Sequence, residues 1–316
     1  MSKREAYLNF TSYSLGEKRQ DLHQSFKSGH VVNNVQAYID AGFYSHHISE
    51  GSVYEIAKKT LTPLKDKLEG TDLILYATCL TLNGNIGKET DFQRTRDVKF
   101  LMDYPASHLQ ADFNLDKAAV IGLNQQACTS VIGALRVGSA MITQDESVNK
   151  VLCITADRFP PGAVYEQTYN LISDGGSACI LSTEPVGYKI LKAVAITNGA
   201  LAQANDEETV GSYFSYTVQL MQDLLEKNKL QWEDIDWLVT QNMNINAWKI
   251  LSRLVGVDYE KVYFGSIKEV GHIISSDNIV NLEWLQKEGK VKSGQKVVLF
   301  MAGFGLNWQA IILEKV

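Results

Sequence analysis

The chain has 316 residues, of which 45% are apolar and 21% charged, with a formal net charge of −6. That is an ordinary globular composition, long enough for two core-forming units or one large duplicated one. An acidic chain in which no basic run interleaves with aromatics carries no nucleic-acid footprint, and no apolar run is long enough to span a bilayer. The start, Met1-Ser2-Lys3-Arg4-Glu5, lacks the apolar core of a signal peptide, so a cytoplasmic protein that does not enter a membrane is expected. The four cysteines, Cys79, Cys128, Cys153 and Cys179, show no CxxC spacing and no neighbouring His pair, so no metal site is expected.

In chain order, Ala6 to Leu15 reads as a strand followed by a turn, and Val31 to Ala41 and Val53 to Leu68 as helices. Asp72 to Thr78 is a continuous apolar run, as in a strand buried on both faces. Thr95 to Tyr104 reads as a helix and Ala118 to Ile121 as a strand. Lys150 to Thr155 is another buried strand, Asp174-Gly175-Gly176 a structural turn entering a strand that ends at Leu181, and Tyr188 to Ala195 a further strand. Cys79, Cys153 and Cys179 sit in apolar, strand-like runs and read as inert core thiols.

The stretch from Asn124 to Leu135 organises this half. A strand leads into it, and a helix leads out with apolar residues at Val131, Ile132, Leu135, Val137, Met141 and Ile142. Cys128 is thereby placed at a strand-to-helix corner, where outward-pointing N–H groups and the helix dipole favour a thiolate. Position alone leaves nucleophile and buried structural cysteine equally open.

The second half repeats the order. Val210 to Lys227 is a long amphipathic helix, Ile235 to Thr240 mimics Asp72 to Thr78, Ala247 to Leu254 is a helix, and Ile273 to Gln286 mirrors the Cys128 helix. Lys296 to Met301 and Trp308 to Leu313 form a closing hairpin that mirrors Val151–Thr155 with Ser177–Leu181. The expected product is an α/β fold with two packed sheets and helices between and outside them, built from halves 1–186 and 187–316. Chemistry is expected at the seam.

Cys128 at a helix start, Asp174-Gly175-Gly176-Ser177-Ala178, Gln241-Asn242-Met243-Asn244 at a strand end, Gly271-His272-Ile273-Ile274-Ser275-Ser276 and Gly303-Phe304-Gly305-Leu306-Asn307-Trp308 follow one another in a characteristic order. In this the chain resembles the thiolase-fold condensing enzymes, and within them the ketoacyl-ACP synthase III group. The resemblance covers nearly the whole chain. It implies a duplicated α-β-α-β-α sandwich and a homodimer (or a heterodimer with a related subunit), with the strand after Lys150 near the two-fold axis. It also implies a cysteine that takes an acyl group from CoA or acyl carrier protein, and a narrow tunnel for the carrier's pantetheine arm. No tightly bound cofactor is implied; the acyl thioester is the substrate.

The active-site pattern departs from that family. Its usual His falls on Gln241 and its usual Asn on His272, and its carrier-side Trp and Arg fall near Gln36 and Asp40. A later Arg of the nucleotide contact falls near Glu166. These departures favour a protein-bound donor over CoA. In this resemblance Cys128 is the nucleophile, His272 the base, and the N–H groups of Cys128 and Gly305 the oxyanion donors. Read without it, His272 is a hydrogen-bonded seam histidine and Gly305 a hairpin glycine. Gln241, Asn242 or Asn244 would orient the imidazole; one of Asn244 and Asn246 also reads as a helix cap before Ala247. Asp277 either pairs with His272 or caps a turn. The function expected is acyl transfer through Cys128 to a hydroxyl, amine or carbon acceptor, in fatty-acid-like or secondary-metabolite biosynthesis. The alternatives are decarboxylative condensation, thioester hydrolysis and a non-catalytic partner subunit of a synthase.

Overall fold

The computed structural model describes residues 4–167, 170–304 and 306–316, with side chains except at 206 and 207. Ten strands join in one hydrogen-bonded sheet: β1 (Tyr7–Leu15), β2 (Leu73–Ala77), β3 (Ala119–Leu123), β4 (Lys150–Asp157), β5 (Gly175–Ser182), β6 (Tyr188–Thr197), β7 (Trp237–Val239), β8 (Val262–Tyr263), β9 (Lys296–Gly303) and β10 (Asn307–Lys315). Their spatial order is β8-β7-β9-β10-β6-β1-β5-β4-β2-β3. Counted within each set of five, both sets read 3-2-4-5-1 from edge to middle. The sets meet through β1 and β6, in register only at Tyr7 with Lys189 and Leu8 with Tyr188.

The alternation of side chains along the central strands explains the layers. Leu73, Leu75, Val151 and Cys153 point to one core, while Ile74, Tyr76, Leu152 and Ile154 point to another, packed under helix α1 (Val53–Leu61). In the second set, Val297, Leu299 and Met301 join the first of these cores, and Val298 and Phe300 point away to a third. The shared core also holds Val131, Ile132 and Leu135 of α2 (Ser130–Gln144) and Ile279, Leu282 and Leu285 of α5 (Asp277–Lys287). Helices α3 (Asp206–Asn228) and α4 (Ile245–Val255) cover the third core through Leu220, Leu224, Trp248 and Leu251. The layers are helix, sheet, paired central helices, sheet, helix, which is the thiolase-like sandwich.

The duplication extends to individual hydrogen bonds. Just before β2, Asp72 donates its N–H to the Lys150 carbonyl at 2.9 Å and accepts from the Lys150 N–H at 3.0 Å. Just before β7, Asp236 does the same with Lys296, at 2.9 and 2.8 Å. Each aspartate fixes the register of a parallel strand pair against which a central helix packs.

Several local expectations change. The helix expected over Val31–Ala41 is only Val35–Asp40, because Asn34 caps its first turn through Gln36 N–H at 2.9 Å. The helix expected over Val53–Leu68 ends at Leu61, and Pro63 sits in a 3-10 continuation over Thr62–Lys67. No single helix spans Thr95–Tyr104. A helix over Glu89–Thr95 stops at Arg96, which takes φ 60°, and a new one begins on Pro105. The strand after Lys150 has partners on both sides within the sheet. The sheet edge left open in this half is β3, with Ala119, Ile121 and Gly122 exposed.

Replacing Asp236 by Ala is expected to lower unfolding free energy by about 1–3 kcal/mol, since its carboxylate serves the Lys296 N–H and the Gln295 Nε2 at 2.8 and 3.0 Å. Asp66→Ala, at an exposed carboxylate, is the control and should change stability by less than about 0.5 kcal/mol in the same denaturant titration.

Candidate active site

Two equivalent turns build the site. One is the 3-10 turn Ala127–Thr129 leading into α2; the other is Ile274–Ser276 leading into α5, and the two touch at the seam. Each begins on a non-glycine residue at positive φ, Ala127 at 47° and Ile274 at 45°. For a β-branched residue this is unusual backbone, costing on the order of 1–3 kcal/mol, and it persists only where the surroundings enforce it. For the first turn the surroundings come from both halves. The Ser130 hydroxyl donates to the Thr78 carbonyl beyond β2 at 2.9 Å, and Gln309 Nε2 on β10 donates to the Thr129 hydroxyl at 2.9 Å. The end of β9 closes over the turn without a side chain: a Cβ on Gly303 would lie 2.8 Å from Cys128 N and 2.9 Å from Ala127 Cβ.

The strand end equivalent to Gly303 is Asp157, closing β4 against the other turn. Its buried carboxylate accepts from Ser275 Oγ, Cys79 N–H and Leu80 N–H at 3.1 Å and from Asn83 Nδ2 at 3.0 Å. The duplication therefore creates two like sites. One is plugged by a carboxylate network, and the other, at Cys128, opens into a cavity of about 360 Å³.

Cys128 and His272 line that cavity together with Tyr213, Gln241, Met243 and Phe304. The backbone of His272 is held by bridging to the segment before β5: its N–H donates to Leu171 O at 2.7 Å and its carbonyl accepts from Ser173 N–H at 2.8 Å. The imidazole Nδ1 lies 2.5 Å from Asp277 Oδ2. Asp277 is fully buried and also accepts from Asn242 N–H and Ile273 N–H, each at 2.7 Å. With Nδ1 so engaged, Nε2 is the ring nitrogen left for the cavity that His272 lines together with Cys128.

The charges follow from these contacts. Hydrogen bonding from the Cys79 thiol, whose sulfur lies 3.9 Å away, and then from the His272 imidazole lowers Cys128 to about 5, against the effect of burial. Burial by itself would lower His272; the Asp277 carboxylate, followed by the Cys128 thiolate, overcomes it and raises His272 to about 10. Between those values the site rests as thiolate and imidazolium.

The expected residues are distributed as follows. Cys128, His272, Gln241 and Asn244 share the cavity; Gly305 lies outside the described residues. The imidazole is oriented by Asp277, not by an amide. Gln241 Oε1 is tied to the Ala302 N–H at 2.7 Å, and Asn242 acts through its backbone N–H on Asp277. Asn244 uses its side chain to cap α4, accepting from the Asn246 N–H at 2.9 Å. Cys79 is not a core thiol: β2 ends at Ala77, so Cys79 falls in the loop beyond it and reaches the Cys128 sulfur. Gly303 and Tyr213 were not anticipated. The glycine before Phe304 was a usable sign, whereas nothing near Tyr213 in the sequence points to the cavity.

Two family models match the chain. The one for 3-oxoacyl-[acyl-carrier-protein] synthase III matches residues 124–199, and the one for its C-terminal part matches 225–315, in order and together over more than half of the chain. The chain belongs to the ketoacyl-ACP synthase III-like family. A relative named beta-ketoacyl-[acyl-carrier-protein] synthase III from Chlamydia caviae is 27% identical over 219 residues, covering 60% of this chain and 65% of its own length. The structure named ChlB3, an acyltransferase, superposes with a TM-score of 0.82 at 15% identity over 99% of this chain and 98% of that one. The synthase III from Aquifex aeolicus superposes at 0.77 with 19% identity over 98% and 99%. At such identities these superpositions establish the thiolase fold of this synthase III-like chain.

Alkylation of Cys128 by iodoacetamide should stay fast as pH falls from 8 toward about 5, and drop only as the thiolate is protonated there. Asp277→Asn, which leaves the imidazolium without its carboxylate, should move the midpoint upward toward the ordinary thiol value of about 8.5. Mass-spectrometric labelling rates at the Cys128 peptide read both. A wild-type midpoint near 8.5 would contradict the ion pair.

Proposed function

We propose that this chain is an acyltransferase that takes an acyl group from a carrier-protein thioester onto Cys128 and passes it to a hydroxyl or amine. The observation that carries this is the relay Cys128–His272–Asp277, in which a fully buried carboxylate holds Nδ1 of the imidazole at 2.5 Å. The thiolate attacks the thioester carbonyl, and the Cys128 N–H and the Gly305 N–H serve the oxyanion. The carrier thiol leaves with a proton from His272 Nε2. The acceptor then enters, gives its proton to Nε2 and attacks the acyl–Cys128 carbonyl, while Asp277 stabilises the imidazolium formed. The halves 1–186 and 187–316 each supply one side, the nucleophile from the first and the base with its carboxylate from the second.

Two further features support a protein-bound donor. Asp40 and Glu166 stand where the family carries arginine; Gln36 bonds Asp40 at 2.8 Å, and Tyr38 of the same helix bonds Glu166 at 3.1 Å. Carboxylates there oppose the anionic phosphates of CoA. The helix α4, whose Ile250 lines the cavity, also exposes Lys249, Arg253 and Leu254, a basic and apolar face suited to an acidic carrier. A homodimer would pair through the open β3 edge.

Decarboxylative condensation is the competing chemistry. It needs two donors on a developing enolate oxygen, which here would have to be His272 and the Nε2 of Gln241, whose Oε1 accepts from the Ala302 N–H. Cys128→Ala should abolish the acyl adduct seen by intact mass after incubation with acylated carrier. His272→Ala should retain slow self-acylation yet cut transfer to an acceptor by about 10²–10⁴-fold. Gln241→His combined with His272→Asn should favour carbon dioxide release from a malonyl carrier. Undiminished transfer by His272→Ala, or rapid malonyl decarboxylation by the unaltered protein, would overturn the proposal.

A further inference from the structure

The two half-buried cysteines of the described residues lie side by side at the site. Cys79 Sγ is 3.9 Å from Cys128 Sγ, and both border a small apolar cluster of Ile48, Phe159, Tyr165, Ile172 and Ile274. The other two, Cys153 and Cys179, are fully buried and paired in register between β4 and β5. Cys79 is not loosely placed. Its N–H and that of Leu80 are fixed by the buried Asp157 carboxylate, which in turn is tied to Ser275 at the seam. In the acyl relay Cys79 serves only as a hydrogen-bond partner of the Cys128 sulfur, a part that needs no second redox-active sulfur.

We propose that Cys79 is a resolving cysteine: when a hydroperoxide oxidises Cys128, Cys79 closes a reversible disulfide onto it and protects the nucleophile from irreversible loss. The inference rests on the acyl-transfer reading only in naming Cys128 as the acyl-bearing thiol. In the first step the Cys128 thiolate attacks the terminal O–H oxygen of the peroxide and breaks the O–O bond, giving the sulfenic acid Cys128–SOH and an alkoxide, or hydroxide when the oxidant is hydrogen peroxide. In the second, the Cys79 sulfur attacks the sulfenic sulfur. The S–S bond forms, the S–O bond breaks, and the departing hydroxide and the Cys79 proton leave as water. Two electrons pass from the sulfur pair to the peroxide.

The order of attack is set by the surroundings. Cys128 carries the thiolate and faces the cavity, so it meets the peroxide first. Cys79 is kept protonated first of all by its hydrogen bond to Cys128, and then by burial. Oxidation of Cys128 to a neutral sulfenic acid removes that negative partner, the first of the causes that keep Cys79 protonated, and leaves the two sulfurs adjacent. Closing from 3.9 Å to a bond of about 2.0 Å requires side-chain rotation of both cysteines, and sulfur is already at van der Waals separation.

The test uses the full chain, reduced and then exposed to a modest excess of hydrogen peroxide, weighed intact and then alkylated. The expected intact mass, read before alkylation, is lower by about 2 Da, with a cross-linked peptide joining Cys79 to Cys128 and with labelling of Cys128 restored by dithiothreitol. Cys79→Ser should instead accumulate Cys128 carrying two oxygens, about 32 Da heavier and not restored by the dithiol, at about tenfold or more over wild type. Cys79→Ala, with circular-dichroism melting of both variants, shows that the result is not misfolding. Equal irreversible oxidation in wild type and variants, or a cross-link to Cys153 or Cys179, would overturn the inference. Acyl loading is measured separately on the reduced protein, so its failure and the failure of the disulfide are told apart.

Discussion

The close approach of each strand end to the opposite half's turn is the constraint on which the structure depends. β9 ends on Gly303 over the Cys128 turn, and β4 ends on Asp157 over the Ser275 turn. A side chain at the first place would drive into backbone, while at the second a carboxylate finds five donors and fills the space. Two copies of one arrangement thus give one open site and one plugged site. The plug also contributes to the open site, because the same carboxylate fixes the loop that carries Cys79.

Asp277 performs the corresponding task for the base. It is fully buried and is shared by the Asn242 and Ile273 backbones and the imidazole. Its proximity to the ring is what raises the imidazole against the effect of burial. At Cys128 it is the Cys79 thiol first, and then the imidazolium that Asp277 supports, that favour the thiolate of a half-buried cysteine. The strained Ile274, between His272 and Asp277, is what the chain tolerates to bend the carboxylate back onto the ring.

At the site His272 is backed by the Asp277 carboxylate, and the Gln241 amide lines the same cavity. An imidazole backed by a carboxylate is suited to moving protons, whereas a pair of neutral donors is suited to holding an enolate.

The sequence by itself determined the layered α/β fold, the duplication and the two chemical groups that matter most. Buried parallel strands write themselves as continuous apolar runs, as at 72–78 and 296–301, and helix starts carry their own signals around Cys128 and His272. Short elements between them, such as the break at Arg96, escaped because a single left-handed residue leaves no periodic trace. Only the tertiary structure decided between Asp277 and the neighbouring amides as partner of His272, brought Cys79 within 3.9 Å of Cys128, and gave Asn244 to a helix cap. Periodicity reports which face of an element is buried, but the distance between two side chains on different elements depends on how the halves dock. That docking is set by contacts hundreds of residues apart in no repeating pattern.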